Sequence, residues 1–273
     1  MNEHGLACRQ YVHREMKRVD GWLSILDAEL VTACAIHQHV LGIDGSVGEI
    51  GVHHGKLFVL LCLTRSLGES ALAIDLFADQ VRNIDRSGEG SRSAFEANLI
   101  EFLDSSDEIQ IIEGDSLNLT WCELSKVVSP LRLLSVDGGH TARCAANDLR
   151  IADDALVDQG IVLLDDYFNP EFPGVSEGYA AFSAERPNRL TPFAIGDNKV
   201  LLSRPAHREL FANALTSAIA DTNLVKLVEF QGFQTPVFRT PRRMYDKLKQ
   251  NPIAKRHRGS YLGRRLKPVI RRL

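Results

Sequence analysis

Asp137-Gly138-Gly139-His140 and Asp165-Asp166, which begins 25 residues beyond His140, are the residues of this chain best suited to chemistry. Three carboxylates at the carboxyl ends of two neighbouring parallel strands can hold one hard divalent cation. An imidazole three residues beyond the first acid can then take a proton from a group that the cation orients. The set Asp137, Asp165 and Asp166 for a metal, with His140 as base, implies metal-assisted chemistry on a hydroxyl.

The flanking sequence should bring these residues together. Leu131 to Val136 and Ile161 to Leu164 are short, nearly unbroken apolar runs, as expected of strands buried on both faces of a parallel sheet. Between them, Ala142 to Asp158 reads as one helix, with Ala145, Leu149, Ala152, Leu156 and Val157 on a common face and Gly160 closing it. This βαβ unit has a right-handed crossover, so both acidic loops open on the same edge of the sheet. A lone acid at a strand end commonly begins a turn. The Asp165-Asp166 pair after four apolar residues is less easily explained that way.

A second constellation lies upstream, where Val47-Gly48-Glu49-Ile50-Gly51-Val52-His53-His54-Gly55 joins a first strand to a helix starting near Lys56. Gly51 and Gly55 let a ligand approach the backbone closely, and Glu49 suits an ammonium or hydroxyl better than a phosphate. The glycine spacing does not make a dinucleotide fingerprint, and no Gly-Lys-Ser or Gly-Lys-Thr follows to make a P-loop. Adjacent His53 and His54 point in different directions and do not readily chelate one ion; His53 is assigned to the pocket lining. Ala71 to Asp75 forms a second strand, whose terminal Asp75 is placed to accept hydrogen bonds from ribose hydroxyls. A third strand, Ile109 to Glu113, leads into Gly114-Asp115-Ser116, within reach of an adenine edge. Acids at successive strand ends describe an adenosine site.

Together, Glu49-x-Gly51-x-x-x-Gly55, Asp75, Gly114-Asp115-Ser116, Asp137 and Asp165-Asp166 resemble the class I S-adenosylmethionine-dependent methyltransferases, and more narrowly their metal-dependent O-methyltransferases. The catechol branch of that group carries a lysine base three residues after its first metal-binding Asp. The macrolide deoxysugar branch, of mycinamicin and macrocin type, carries Asp-x-x-His, to which Asp137 to His140 is similar. The resemblance spans about residues 40 to 205 and implies a Rossmann-like, doubly wound α/β sheet of seven strands, mostly parallel, with an antiparallel C-terminal hairpin. It implies S-adenosylmethionine bound by Glu49, Gly51, His53, Gly55, Asp75, Asp115 and Ser116, with Asp137 shared between cofactor and metal. Mg²⁺ or Mn²⁺ is held by Asp137, Asp165 and Asp166, and His140 is the base. The acceptor it implies is a sugar or other polyol hydroxyl. A catechol or phenol acceptor is the first alternative, for which 7% aromatic residues offer little pocket material. A non-catalytic cofactor-binding scaffold is the second.

The rest of the chain is compatible with this. Its 273 residues, 44% of them apolar, suit one α/β domain with additions. No apolar run approaches the ~20 residues that span a bilayer, and Met1 to Arg18 are too polar for a signal peptide, so a cytoplasmic protein is expected. Five cysteines (8, 34, 62, 122 and 144) without a Cys-x-x-Cys pair suit reduced thiols. The net charge of −3 conceals a division: from Arg239 to Leu273 thirteen Lys or Arg residues face one acid, Asp246. Such a tail can serve as a subunit-contacting arm of a homo-oligomer or meet an anionic inner-membrane surface. Nothing in the sequence supplies a nucleic-acid platform beside it.

The expected organisation is therefore an N-terminal helical cap over 1–40, a methyltransferase domain over 41–238 and a basic tail over 239–273. Ser24 to Leu41 reads as a helix over the entrance, preceded by Trp22, and Ser91 to Leu103 as the helix after the second strand. Phe77 to Gly90, with Asn83, Asp85, Ser87, Gly88 and Gly90, has the polarity and length of a lid, or equally of a flexible connector. Asn169 to Gly174 reads as a stiff loop beside the metal. Leu190 to Ile195 and Lys199 to Ser203 read as a hairpin turning through Gly196-Asp197-Asn198. A helix from Ala206 to Asp221 and strands near Val225 and Pro236 complete the body.

Overall fold

Each acidic loop identified above leaves a strand of one sheet, and the sheet order explains why the loops converge. The computed structural model describes residues 3–79, 81–83, 87–105, 107–219 and 223–240. The basic segment beyond Thr240, Asp85 of the expected lid and Asp221 of the last expected helix lie outside them.

Strands β1 (Ser46–Ile50), β2 (Ala71–Asp75), β3 (Ile109–Glu113), β4 (Leu131–Val136) and β5 (Leu156–Leu164) run parallel in the order β3-β2-β1-β4-β5. Chain order reverses between β2-β1 and β4, so a crevice opens beyond the carboxyl ends of β1 and β4. On the far side of β5 the sheet turns antiparallel through β7 (Val200–Ser203), which is hairpinned to β6 (Thr191–Ile195). The strands expected near Val225 and Pro236 are β8 (Leu224–Phe230) and β9 (Phe233–Phe238). They join the same sheet, with β9 beside β6, so that among the described residues the seven expected strands become nine.

Burial of β1 and β4 along their whole length is what the unbroken apolar runs required. One core face gathers Leu133, Leu163, Leu201 and Phe193 against helices α2 (Ile25–Val40), α3 (Lys56–Leu63) and α8 (Arg208–Ala218). The other gathers Ile74, Leu134, Val136, Val162 and Leu202 against α6 (Ala142–Ala155) and α7 (Pro173–Glu185). Around these, α1 (Glu3–Gln10), α4 (Arg92–Phe102) and the single turn α5 (Trp121–Leu124) complete the layers. The five cysteines are free, four of them buried.

Two expectations are corrected. Helix α6 stops at Ala155, because Leu156 already pairs with Leu131 in the sheet; Gly160 therefore lies inside β5 and closes no helix. The stiff loop ends earlier than Gly174, since Pro173 opens α7, where proline's fixed φ and missing N–H suit the first turn. Gly174 and Gly178 then let α7 ride directly on α6: a Cβ at Gly174 would sit 2.4 Å from the His140 carbonyl oxygen, and one at Gly178 2.7 Å from that of Ala142.

Candidate active site

A cavity of about 600 Å³ occupies the crevice beyond β1, β2, β4 and β5. Of the residues singled out in the sequence, Gly51, His53, Asp75, Asp115, Ser116, Asp137, His140, Asp165 and Asp166 line it. Glu49 and Gly55 do not. Glu49 is buried below the floor at 3% exposure, and its Oε2 has no hydrogen-bond partner. Burial, joined by the carboxylates of Asp137, Asp165 and Asp75, pushes it well above the usual carboxylic range against the pull of Lys199.

The glycines of the first turn serve the protein's own packing. Gly51 has φ +88°, and a Cβ there would lie 1.9 Å from the Asp137 carbonyl oxygen. The close approach that requires glycine is thus between the β1 and β4 loops. Gly55, with φ +86°, would meet the Phe95 ring at 2.9 Å. At the next strand end, Asp75 accepts from the backbone N–H groups of His53 (2.7 Å) and Phe77 (2.5 Å), bracing the turn beside it. Burial raises its pKa. Asp115 Oδ1 accepts from Leu117 N at 2.9 Å and opens a turn of 3₁₀ helix. His53, with φ +50°, stacks on His54 at 3.9 Å and faces Trp22 at 5.4 Å. Of the expected lid, Phe77, Arg82, Asn83, Ser87, Gly88 and Gly90 reach the cavity wall.

At the other end of the cavity, His140 Nε2 lies 3.2 Å from Asp166 Oδ2 and 3.8 Å from Asp137 Oδ1. Ligand atoms of these three residues fall within 4.8 Å of one another, a spacing that could hold a metal ion. The His140 ring stacks on Phe172, 3.9 Å between centroids and 13° from parallel, which fixes its plane. Asp166 takes a left-handed φ of +57° that turns it back toward His140. Its Oδ1 accepts from Asn169 (2.7 Å) and Asn198 (2.9 Å). Despite burial, those bonds and the His140 side chain hold its carboxyl below the usual range.

Asp165 is differently committed. Its Oδ2 accepts from the ammonium of buried Lys199 at 2.7 Å, and its Oδ1 from Asn198 at 2.7 Å. Asp137 is pushed up to about 8 by burial and by the Asp165 carboxylate. Burial alone would lower Lys199, but Asp165 and Asp137 outweigh it and hold the ammonium charged.

Residues 49–167 match a methyltransferase domain family, Methyltransf_24. Over that stretch, a little under half of its 273 residues, the chain is similar to a methyltransferase domain. No curated protein matches in sequence. The fold is that of solved class I methyltransferases. It is similar to the O-methyltransferase NovP with a TM-score of 0.57 and 14% identity, over 74% of this chain and 97% of that one. It is also similar to cofactor-bound Rv0187 from MTB, with a TM-score of 0.50 and 12% identity over 73% and 87% of the two chains.

Three residues around the cavity fall outside the matched methyltransferase stretch and were not read as site residues from the sequence, which placed Asn198 and Lys199 only in a hairpin. Lys199 and Asn198 stand in the β6–β7 turn, and Asp27 stands in the first turn of α2. Asp27 Oδ1 accepts from Asp197 N at 2.9 Å and Oδ2 from Asn198 N at 3.1 Å. No spacing rule could pair positions 170 residues apart. The signal available was Gly196-Asp197-Asn198-Lys199, which reads as ordinary turn chemistry.

Proposed function

We propose that this chain transfers the methyl group of S-adenosylmethionine to a hydroxyl of a sugar or other polyol, with help from Mg²⁺ or Mn²⁺. The observation that carries the reading is the Asp137, His140 and Asp166 cluster, set on the wall of a cavity whose opposite end holds Asp75, Asp115 and Ser116. The far end suits an adenosine, with ribose on Asp75 and adenine by Asp115 and Ser116. The near end suits an acceptor oxygen.

A divalent cation fits the near end. The cavity and its floor bring Glu49, Asp137, Asp165 and Asp166 together around the Lys199 ammonium, and the rise of Asp137 to about 8, caused first by burial and then by the Asp165 carboxylate, is one that added positive charge would relieve. Asp137 and Asp166 would hold the ion, with Asp165 beside them drawn toward Lys199. Bound there, S-adenosylmethionine would supply an electrophilic methyl group, and the cation Lewis acidity at the acceptor hydroxyl.

The protein's part is proton removal and alignment. His140 takes the hydroxyl proton on Nε2, and Asp166 at 3.2 Å stabilises the resulting imidazolium. Phe172 keeps the ring from rotating. Gly51, Asp75, Asp115 and Ser116 would hold the methyl donor, while His140 and Asp166 leave the acceptor oxygen deprotonated. Alignment of donor and acceptor by a fixed site can contribute several kcal/mol.

One observation favours a second role for His140: its Nε2 lies within the donor cluster itself, where it could be the third ligand. A screen of methyl transfer against vicinal-diol glycosides and catechols, with and without Mg²⁺, tests the reading. Transfer to a glycoside that needs Mg²⁺ is the expected result, and transfer confined to catechols would overturn the acceptor class. Mn²⁺ titration of His140→Ala separates the two roles, since a base can be removed without weakening the ion and a ligand cannot.

We further place the chain in the cytoplasm, where five free cysteines are at home, with residues 1–40 as a cap over the domain.

A further inference from the structure

The β6–β7 turn is built to present one ammonium. Asp27 is capped from Ser24, whose Oγ donates to Oδ2 at 3.0 Å, and it receives the N–H groups of Asp197 and Asn198. Gly196 passes so close that a Cβ would stand 2.0 Å from Asp27 Oδ1. The Gly196 N–H donates to the Lys199 carbonyl at 2.8 Å and closes the turn. The clamp leaves Lys199 only 2% exposed, with Nζ 2.7 Å from Asp165 Oδ2. A buried lysine is costly without a partner, and this one stands where the sequence had placed a metal ligand's cation.

We propose that Lys199 is a positioning residue acting as a built-in cation: it holds Asp165 in place of a metal ion and so restricts divalent-cation binding to Asp137 and Asp166. The inference rests on the proposed cation site, yet it makes a separate claim. The Lys199→Met substitution frees the Asp165 carboxylate and removes a positive charge from the site. Both changes favour a divalent ion. The Lys199→Arg substitution retains the charge.

The test is Mn²⁺ binding to the full-length protein, read by electron paramagnetic resonance, for wild type, Lys199→Met, Lys199→Arg, Asp165→Asn and the Asp165→Asn/Lys199→Met pair. The expected result is affinity at least tenfold tighter in Lys199→Met and no tightening in Lys199→Arg. In the double variant, where a neutral pair replaces an ion pair of no net charge, affinity should stay within about threefold of wild type. If Asp165 is instead a necessary ligand, the double variant loses affinity as Asp165→Asn does, and the inference fails. Should Lys199→Met not fold, the double variant, which removes the Asp165 charge together with that of Lys199, decides alone. If wild type binds Mn²⁺ and Lys199→Met binds it equally or less, the Lys199 role is overturned while the cation site stands. Wild type that binds none while Lys199→Met gains a site upholds the Lys199 role and overturns the proposed cation. Binding by neither overturns both.

Discussion

At the scale of single residues, His140 is the most exposed part of the account to test. If it deprotonates the acceptor, His140→Ala should lower turnover by roughly 10²–10⁴-fold, the usual worth of a positioned general base. Isothermal titration with S-adenosylmethionine should change little, because His140 lies at the other end of the cavity from Asp75 and Asp115. Near-normal turnover would move the proton transfer elsewhere. Asp137 gives a second prediction, about pH. A carboxyl raised by burial and by Asp165 to about 8 binds its proton more tightly folded than unfolded. Its contribution is complete below about pH 4 and is lost as pH rises through about 8. Metal-free protein should therefore lose thermal stability between pH 5 and 9, and Mn²⁺ should recover part of the loss. Buried Asp148, raised to about 7 mainly by burial, shares the window but stands outside the donor cluster, so its share should persist with Mn²⁺. A flat melting temperature across that range would contradict the electrostatics described. The types of these residues were legible in sequence because acids after apolar runs are rare. The partner of Asp165 was not, because a lysine at the start of a strand carries no mark of burial.

At the scale of elements, the sequence exposed the parts whose signal is local. The βαβ unit, the Ser24-capped α2 and the β6–β7 hairpin are recognisable because capping, apolar runs and turn residues act over a few positions. The end of α6 was misplaced because Leu156 and Val157 continue the helical face, while pairing of Leu156 with Leu131 decides their conformation. Helix α7 went unseen despite Val175, Tyr179 and Phe182 at helical spacing, since the prolines of Asn169 to Gly174 suggested a loop. The reach of Asp27 to the β6–β7 turn is purely tertiary. It predicts that Gly196→Ala, which forces a methyl against the Asp27 carboxylate, destabilises the fold by about 1–3 kcal/mol in urea denaturation, as overpacking does. An unchanged midpoint would show that the turn is not clamped.

At the scale of the whole molecule, nine strands among the described residues form one sheet, and the proposed chemistry uses only the carboxyl edge of its parallel half. Among the described residues no helix is long and apolar enough to cross a membrane. The thirteen basic residues from Arg239 onward follow every strand-end acid assigned here. A chain ending at Thr240 should therefore keep methyl transfer to a small acceptor and lose salt-sensitive co-sedimentation with anionic vesicles, to which clustered basic residues contribute about 1 kcal/mol each. If truncation changes the gel-filtration size and vesicle binding is absent from both forms, the tail is a subunit-contacting arm.

The central claim, that two strand-end acids and a histidine perform cation-assisted methyl transfer, is tested most directly by production of S-adenosylhomocysteine with a diol-bearing glycoside. The enzyme should be stripped of metal, then assayed in excess EDTA and after return of Mg²⁺ or Mn²⁺. The account predicts loss of turnover in EDTA, its recovery with either ion, and no recovery in Asp166→Asn. Full turnover by the metal-free enzyme in EDTA would contradict it.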